Sequence, residues 1–236
     1  MKVIVRDEKI GNVVLDTAWE DGKLPSPRRF HVKLFDDKER DGCLQVLLYG
    51  LVRFYAHDAT ELFEGYAVDE RAMVGCIYRY MYCAMEKGLC VENYPDIDSE
   101  YNRMMLEYER WVEKSMRPCE QPDCPHAKEC YWLVEKERKR LSKCKDKCEE
   151  ACVFRPDIIL HRRNTQQNGL IVEVKKSSER DKRRLLADNA KVRYCTCAEG
   201  VFHYRIGATV LLSETKATIN LYRGKGDVKR LLLVRS

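Results

Sequence analysis

No window of this 236-residue chain holds the ~18 or more consecutive apolar residues that a membrane-crossing helix needs. The opening MKVIVRDEKI has neither an apolar segment of leader length nor a small-residue cleavage step, so a signal peptide is not expected. No internal repeat and no low-complexity tract is visible, which argues against solenoids and disordered tails. No cysteine spacing matches the CxxC pairs of a zinc ribbon. The expected setting is therefore soluble and cytoplasmic. There, clustered cysteines point to metal or redox chemistry rather than to disulfides.

What is present suits one medium domain, or a core domain carrying an insertion. A hydrophobic content of 44% can build a core. Charged residues make up 34%, and 43 basic against 38 acidic side chains leave a formal +5. The distribution says more than the total. Lys176, Arg180, Lys182, Arg183, Arg184 and Lys191 fall within a short span. Such a stripe can neutralise phosphates, and the plainer alternative is a solvated helix face.

Alternation over residues 1–16 predicts a β-hairpin, and Gly22, Pro25 and Pro27 mark a breaker segment after it. Leu44, Leu47, Leu48, Leu51 and Phe54 have helical spacing. A second helix is expected from about Asp69 to Glu86, with Met73, Ile77, Tyr80, Met81 and Ala84 inward and Gly88 as its stop. Residues from Asp96 onward suit a short strand, and Met104 to Met116 suits a helix. Strands are expected at 157–160 and 169–175, a charged helix from Ser178 to Tyr194, then strands at 208–212, 217–222 and 230–234. Cys43, Cys76, Cys83 and Cys90 sit among apolar residues and read as small core side chains. Helices first, then strands around a central helix, predict an α/β sandwich.

One strand carries unusual chemistry. Period-2 geometry puts Leu170, Val172 and Val174 on one face and Ile171, Glu173 and Lys175 on the other. Burying that Glu and Lys costs several kcal/mol unless something pairs with them. Upstream, Pro156-Asp157 places a carboxylate at the start of another apolar strand, where proline is tolerated. If the two strands pair, Asp157 and Glu173 meet, and two adjacent carboxylates need a cation between them or a raised pKa. A site with few carboxylate oxygens suits Mg²⁺ or Mn²⁺. Lys175 would then orient or deprotonate an attacking water and offset phosphate charge. The plainer reading is a buried Glu173–Lys175 ion pair with Asp157 ending a turn.

The ordered set Pro156-Asp157 and Glu173-Val174-Lys175 resembles the signature of the PD-(D/E)xK, or restriction-endonuclease-like, nucleases. Glu70-Arg71 opens a helix where that superfamily carries a helical acid. Glu100-Tyr101-Asn102-Arg103, Arg155 to His161, Asn168 to Lys176, Asp181 with Leu185, and Tyr204-x-x-Gly207 look like segments of a subgroup of small prokaryotic members. The resemblance covers roughly residues 66–103 and 153–212. It implies a central mixed sheet flanked by helices and metal-dependent hydrolysis of phosphodiester bonds. It also implies that Asp157 and Glu173 bind Mg²⁺ or Mn²⁺, that Lys175 works on the water, and that Glu70 or, second in rank, Glu100 adds an acidic group. In those relatives the segment like residues 100–103 and the PD strand lie close in sequence. Here a cysteine-bearing insertion separates them.

That insertion contains Cys119-x4-Cys124-x5-Cys130, then Cys144-x3-Cys148-x3-Cys152, with His126 inside the first group. On a helix the last three cysteines share one face. Metal binding is the expected role, with Zn²⁺ on four of the six first and a 4Fe–4S cluster as the alternative. The organisation expected is an N-terminal hairpin and helical region (1–65), a nuclease core (66–103 and 153–236) and the insertion (104–152). The function expected is a DNA-preferring nuclease, with Lys176, Lys182, Arg183, Arg184 and Lys191 on nucleic acid. The alternative is a catalytically silent nuclease fold that binds nucleic acid or protein through the insertion. A protein partner at the insertion and a homodimer are the further associations considered.

Overall fold

The apolar spacings find their packing partners. The computed structural model describes residues 2–7, 13–18, 30–31, 34–35, 37–64, 69–89, 92–99, 156–163, 165, 167–177, 182–197, 202–224 and 227–235. The breaker segment 21–27, Cys90, Glu100, the helix expected over 104–116 and all six insertion cysteines lie outside them. Helix α1 (Lys38–His57) starts at Asp37, whose carboxylate accepts from the amides of Glu39 and Arg40 at 3.2 and 3.1 Å. It buries Leu44, Leu47, Leu48, Leu51 and Phe54 completely. After the short α2 (Ala59–Glu64), α3 (Glu70–Glu86) is capped by Asp69. It ends before Gly88, whose φ of 96° only glycine adopts freely. Met73, Ile77, Met81 and Ala84 point inward as expected. Tyr80 is only partly buried, with the guanidiniums of Arg53 and Arg79 over its ring.

Eight strands form one sheet. They are β1 (Lys2–Asp7), β2 (Val13–Ala18), β3 (Asp96–Ser99), β4 (Ile158–His161), β5 (Asn168–Lys176), β6 (Ile206–Leu212), β7 (Lys216–Arg223) and β8 (Asp227–Arg235), in the order β2-β1-β8-β7-β6-β5-β4-β3. Every neighbouring pair is antiparallel except β5 and β6, which run parallel. A parallel pair needs a crossover, and α4 (Lys182–Thr196) supplies it. The mixed sheet, with four helices among the described residues, is the α/β architecture expected from the sequence.

Alternation along β5 divides the core in two. Leu170, Val172 and Val174 join Ile158, Leu160 and the inward residues of α1 and α3. Ile171 joins Ile159 and, from α4, Val192, Tyr194 and Cys195. Helices therefore cover both faces of the sheet. The approach of α4 is very close at β6: a Cβ on Gly207 would lie 2.3 Å from Val192 Cγ1 and 2.9 Å from Thr196 Cγ2. Only a glycine lets the helix rest directly on that strand. Cys43 is buried in the larger core, Cys76 is half-buried against it and Cys83 is half-buried, while Cys195 and Cys197 are buried.

Candidate active site

The site arises from unequal strand lengths. β4 begins at Ile158, paired with Val172, so β5 runs on through Glu173 to Lys176 with only β6 beside it in the ladder. An unpaired strand edge presents backbone N–H groups two residues apart, and these need acceptors. Carboxylates supply them. The Val174 amide donates to Asp157 Oδ2 at 2.6 Å, and the Lys176 amide donates to Glu70 Oε2 at 3.4 Å. Buried Pro156 leads into Asp157 at the mouth of β4, and Glu70 comes from the first turn of α3. Two elements far apart in sequence thus place acids on the same few residues of β5.

Around this edge the side chains form a chain of alternating charge. Lys175 Nζ lies 2.6 Å from Glu70 Oε1 and 3.9 Å from Asp188 Oδ2. The other oxygen of Asp188 lies 3.1 Å from Lys191 Nζ, one turn along α4. Glu173 sits among them at 3% exposure, and its Oε1 has no hydrogen-bond partner among the described residues. Burial, then the Asp157 charge, push the Glu173 carboxyl well above the usual carboxylate range, against the pull of Lys191 and Lys175. Burial would lower the Lys175 ammonium. The Glu70 hydrogen bond and the Asp157 and Asp188 charges outweigh it and hold Lys175 above the ordinary lysine value. Lys191 is likewise held up against its burial, by Glu173 and Asp188. The surrounding carboxylates favour the ammonium form of Lys175, which suits it to orient a water or offset an anion's charge.

No family model, curated protein or solved structure matches this chain. The chemistry of the site rests on its own residues. Hard oxygen donors with an unpartnered, desolvated carboxylate oxygen suit a divalent cation such as Mg²⁺ or Mn²⁺, which commonly takes one or two protein carboxylates and completes its shell with water. Glu173 supplies that oxygen, and Asp157, which accepts from the Val174 amide, supplies a second carboxylate. Among the described residues no three His, Cys, Asp or Glu side chains group closely enough to hold a metal ion.

Asp157, Glu173, Lys175 and Glu70, all singled out in the sequence, thus converge, while Glu100 and Cys119, Cys124, Cys130, Cys144, Cys148 and Cys152 lie outside the described residues. The basic stripe divides. Lys182, Arg183 and Arg184 occupy the first turn of α4, their side chains outside the described set. Lys176 sets its ammonium 5.8 Å over the Phe63 ring, and Lys191 turns into the carboxylate cluster. Asp188 is a site residue that the sequence does not advertise. Buried Thr209 is another: it is the backbone register partner of Glu173 between β5 and β6, and its hydroxyl donates to Asn189 Oδ1 at 2.9 Å. Tyr222 donates to the same oxygen at 2.8 Å, and Asn220 donates to Thr209 at 3.2 Å. A polar residue inside an otherwise apolar strand is the signal that flagged Glu173, and Thr209 carries it too.

A second polar cluster lies elsewhere on the sheet. Buried Asp98 of β3 is 2.7 Å from His161 Nε2 and accepts from Arg163 Nη2 at 2.7 Å. Burial would raise its carboxyl, but these two partners hold it well below the usual range. Fully partnered, it reads as a clamp between β3 and the end of β4.

Proposed function

We propose that this chain is a divalent-metal-dependent nuclease with a restriction-endonuclease-like core, hydrolysing phosphodiester bonds with DNA as the preferred substrate. One observation carries the reading: the PD and ExK residues meet at the open edge of β5, around a carboxylate oxygen that none of the described residues satisfies. Asp157 and Glu173 would hold Mg²⁺ or Mn²⁺. When bound, such an ion would supply Lewis acidity toward a phosphoryl oxygen and an attacking water.

The chain's own residues supply the rest. Lys175, held beside Glu70 and Asp188, would orient the attacking water and offset the charge of the phosphate. Glu70 fixes that ammonium through a 2.6 Å contact, so it acts on Lys175 and not on the substrate. The basic first turn of α4 offers phosphate contacts beyond the reacting bond. The six insertion cysteines are proposed to hold a structural Zn²⁺, with a 4Fe–4S cluster as the alternative.

Supercoiled plasmid and single-stranded DNA incubated with and without Mn²⁺ test the reading. Cleavage should need the ion and should vanish in Asp157→Ala, Glu173→Ala and Lys175→Ala, with double variants no worse than singles because the three act as a unit. Near wild-type turnover in Lys175→Ala would overturn it.

A further inference from the structure

We infer that the centre takes one divalent cation, and that Lys191, held by Asp188, occupies the place a second cation would need. This rests on the nuclease reading of the same site and adds a role for α4. The described site contains four carboxylates, Glu70, Asp157, Glu173 and Asp188, and two ammoniums, Lys175 and Lys191. Fully ionised, as they would be around a bound cation, these groups carry a net charge of minus two, which one divalent ion cancels.

Position argues the same way as charge. A second ion would have to share Glu173 with another carboxylate on the α4 side, and the acid there is Asp188. Both oxygens of Asp188 already face ammoniums, Lys175 at 3.9 Å and Lys191 at 3.1 Å. Lys191 is also an attractive charge for Glu173. A second dication seeking Asp188 would meet these ammoniums and be repelled. A lysine this enclosed loses hydration for no packing gain that an apolar residue would not give better. Asp188 is the positioning residue: its two oxygens face β5's lysine and α4's lysine.

Calorimetric titration of the full chain with Mn²⁺ tests this, with Glu173→Gln as the blank that removes the site. One Mn²⁺ per chain, lost in Glu173→Gln, is expected. Lys191→Gln should bind Mn²⁺ about tenfold more tightly, because a neighbouring positive charge is gone. It should also cleave DNA at least about tenfold more slowly, with unchanged DNA affinity in Ca²⁺. Lys191→Arg should restore most of the rate. Two Mn²⁺ on the wild-type chain, unchanged Mn²⁺ affinity in Lys191→Gln, or its cleavage at the wild-type rate would each overturn the inference and leave the nuclease reading standing. No Mn²⁺ bound and no cleavage by the wild-type chain would remove both. Should Lys191→Gln not fold, the wild-type stoichiometry alone decides.

Discussion

Replacing Glu173 by glutamine should make the protein more stable and inactive at once. The side chain is 3% exposed, its Oε1 lacks a partner among the described residues, and Asp157 and Asp188 both oppose its charge. A buried polar atom left unsatisfied costs about 1–3 kcal/mol. Glutamine keeps the shape, removes the charge and offers N–H donors to the neighbouring carboxylates. Without divalent cation, thermal unfolding of Glu173→Gln should therefore move upward, by about 2–4 °C per kcal/mol for a chain of this size. Saturating Mn²⁺ should reverse the order, since a ligand at a hundred times its Kd stabilises the native state by about 2.7 kcal/mol. The variant, lacking the site, gains little. Differential scanning calorimetry with and without Mn²⁺ reads both arms. A variant melting below wild type in metal-free buffer would refute the view that this carboxylate is held unsatisfied for a ligand, as would equal Mn²⁺ shifts in the two proteins.

Gly207→Ala should lower stability by about 1–3 kcal/mol, because the new methyl meets Val192 Cγ1 at 2.3 Å and α4 must lift. Since α4 carries Asp188 and Lys191, cleavage should fall with it, as melting and plasmid nicking on the same sample would show. Replacing Lys182, Arg183 and Arg184 together by alanine should flatten the log–log salt dependence of duplex binding by about 0.9 for each phosphate that is no longer neutralised. An unchanged slope would mark that turn as solvated surface. Purified protein should contain near-stoichiometric zinc separate from the carboxylate site, or a brown iron–sulfur chromophore in its place, and Cys124→Ser or Cys148→Ser should release it. Binding of about 10–16 kcal/mol is the scale for structural zinc in small peptides, and less than a tenth of an equivalent of either metal after anaerobic purification would refute the assignment.

The elements whose burial contrast is high were legible in the sequence. The helical repeat from Leu44 to Phe54 and the two-faced run from Leu170 to Lys175 keep one periodicity throughout, and both faces of β5 pack as that alternation requires. The charged pair on β5 stood out because charges are costly inside an apolar strand. Asp188 did not, because α4 buries Asp188, Ala190, Val192, Tyr194, Cys195 and Thr196, which form no single helical stripe. In such a helix an inward acid looks like a surface one. Strand order was illegible for a different reason. β1 pairs with β8 across almost the whole chain, and nothing local encodes a pairing so distant.

Ser99 and Ile158 are partners in the β3–β4 ladder, strands about 4.8 Å apart. The long stretch between them thus leaves and re-enters through one doorway, next to Asp157. Because loop closure grows only logarithmically with length, about 0.6 kcal/mol per doubling, the core can carry a large or a small segment there at nearly equal stability. On the proposed nuclease reading, the stretch entering and leaving there would be exchangeable. On the same reading, any nucleic acid or protein gripped there would be tethered close to Asp157 at an effective concentration on the order of millimolar, and exchanging that stretch should redirect cleavage.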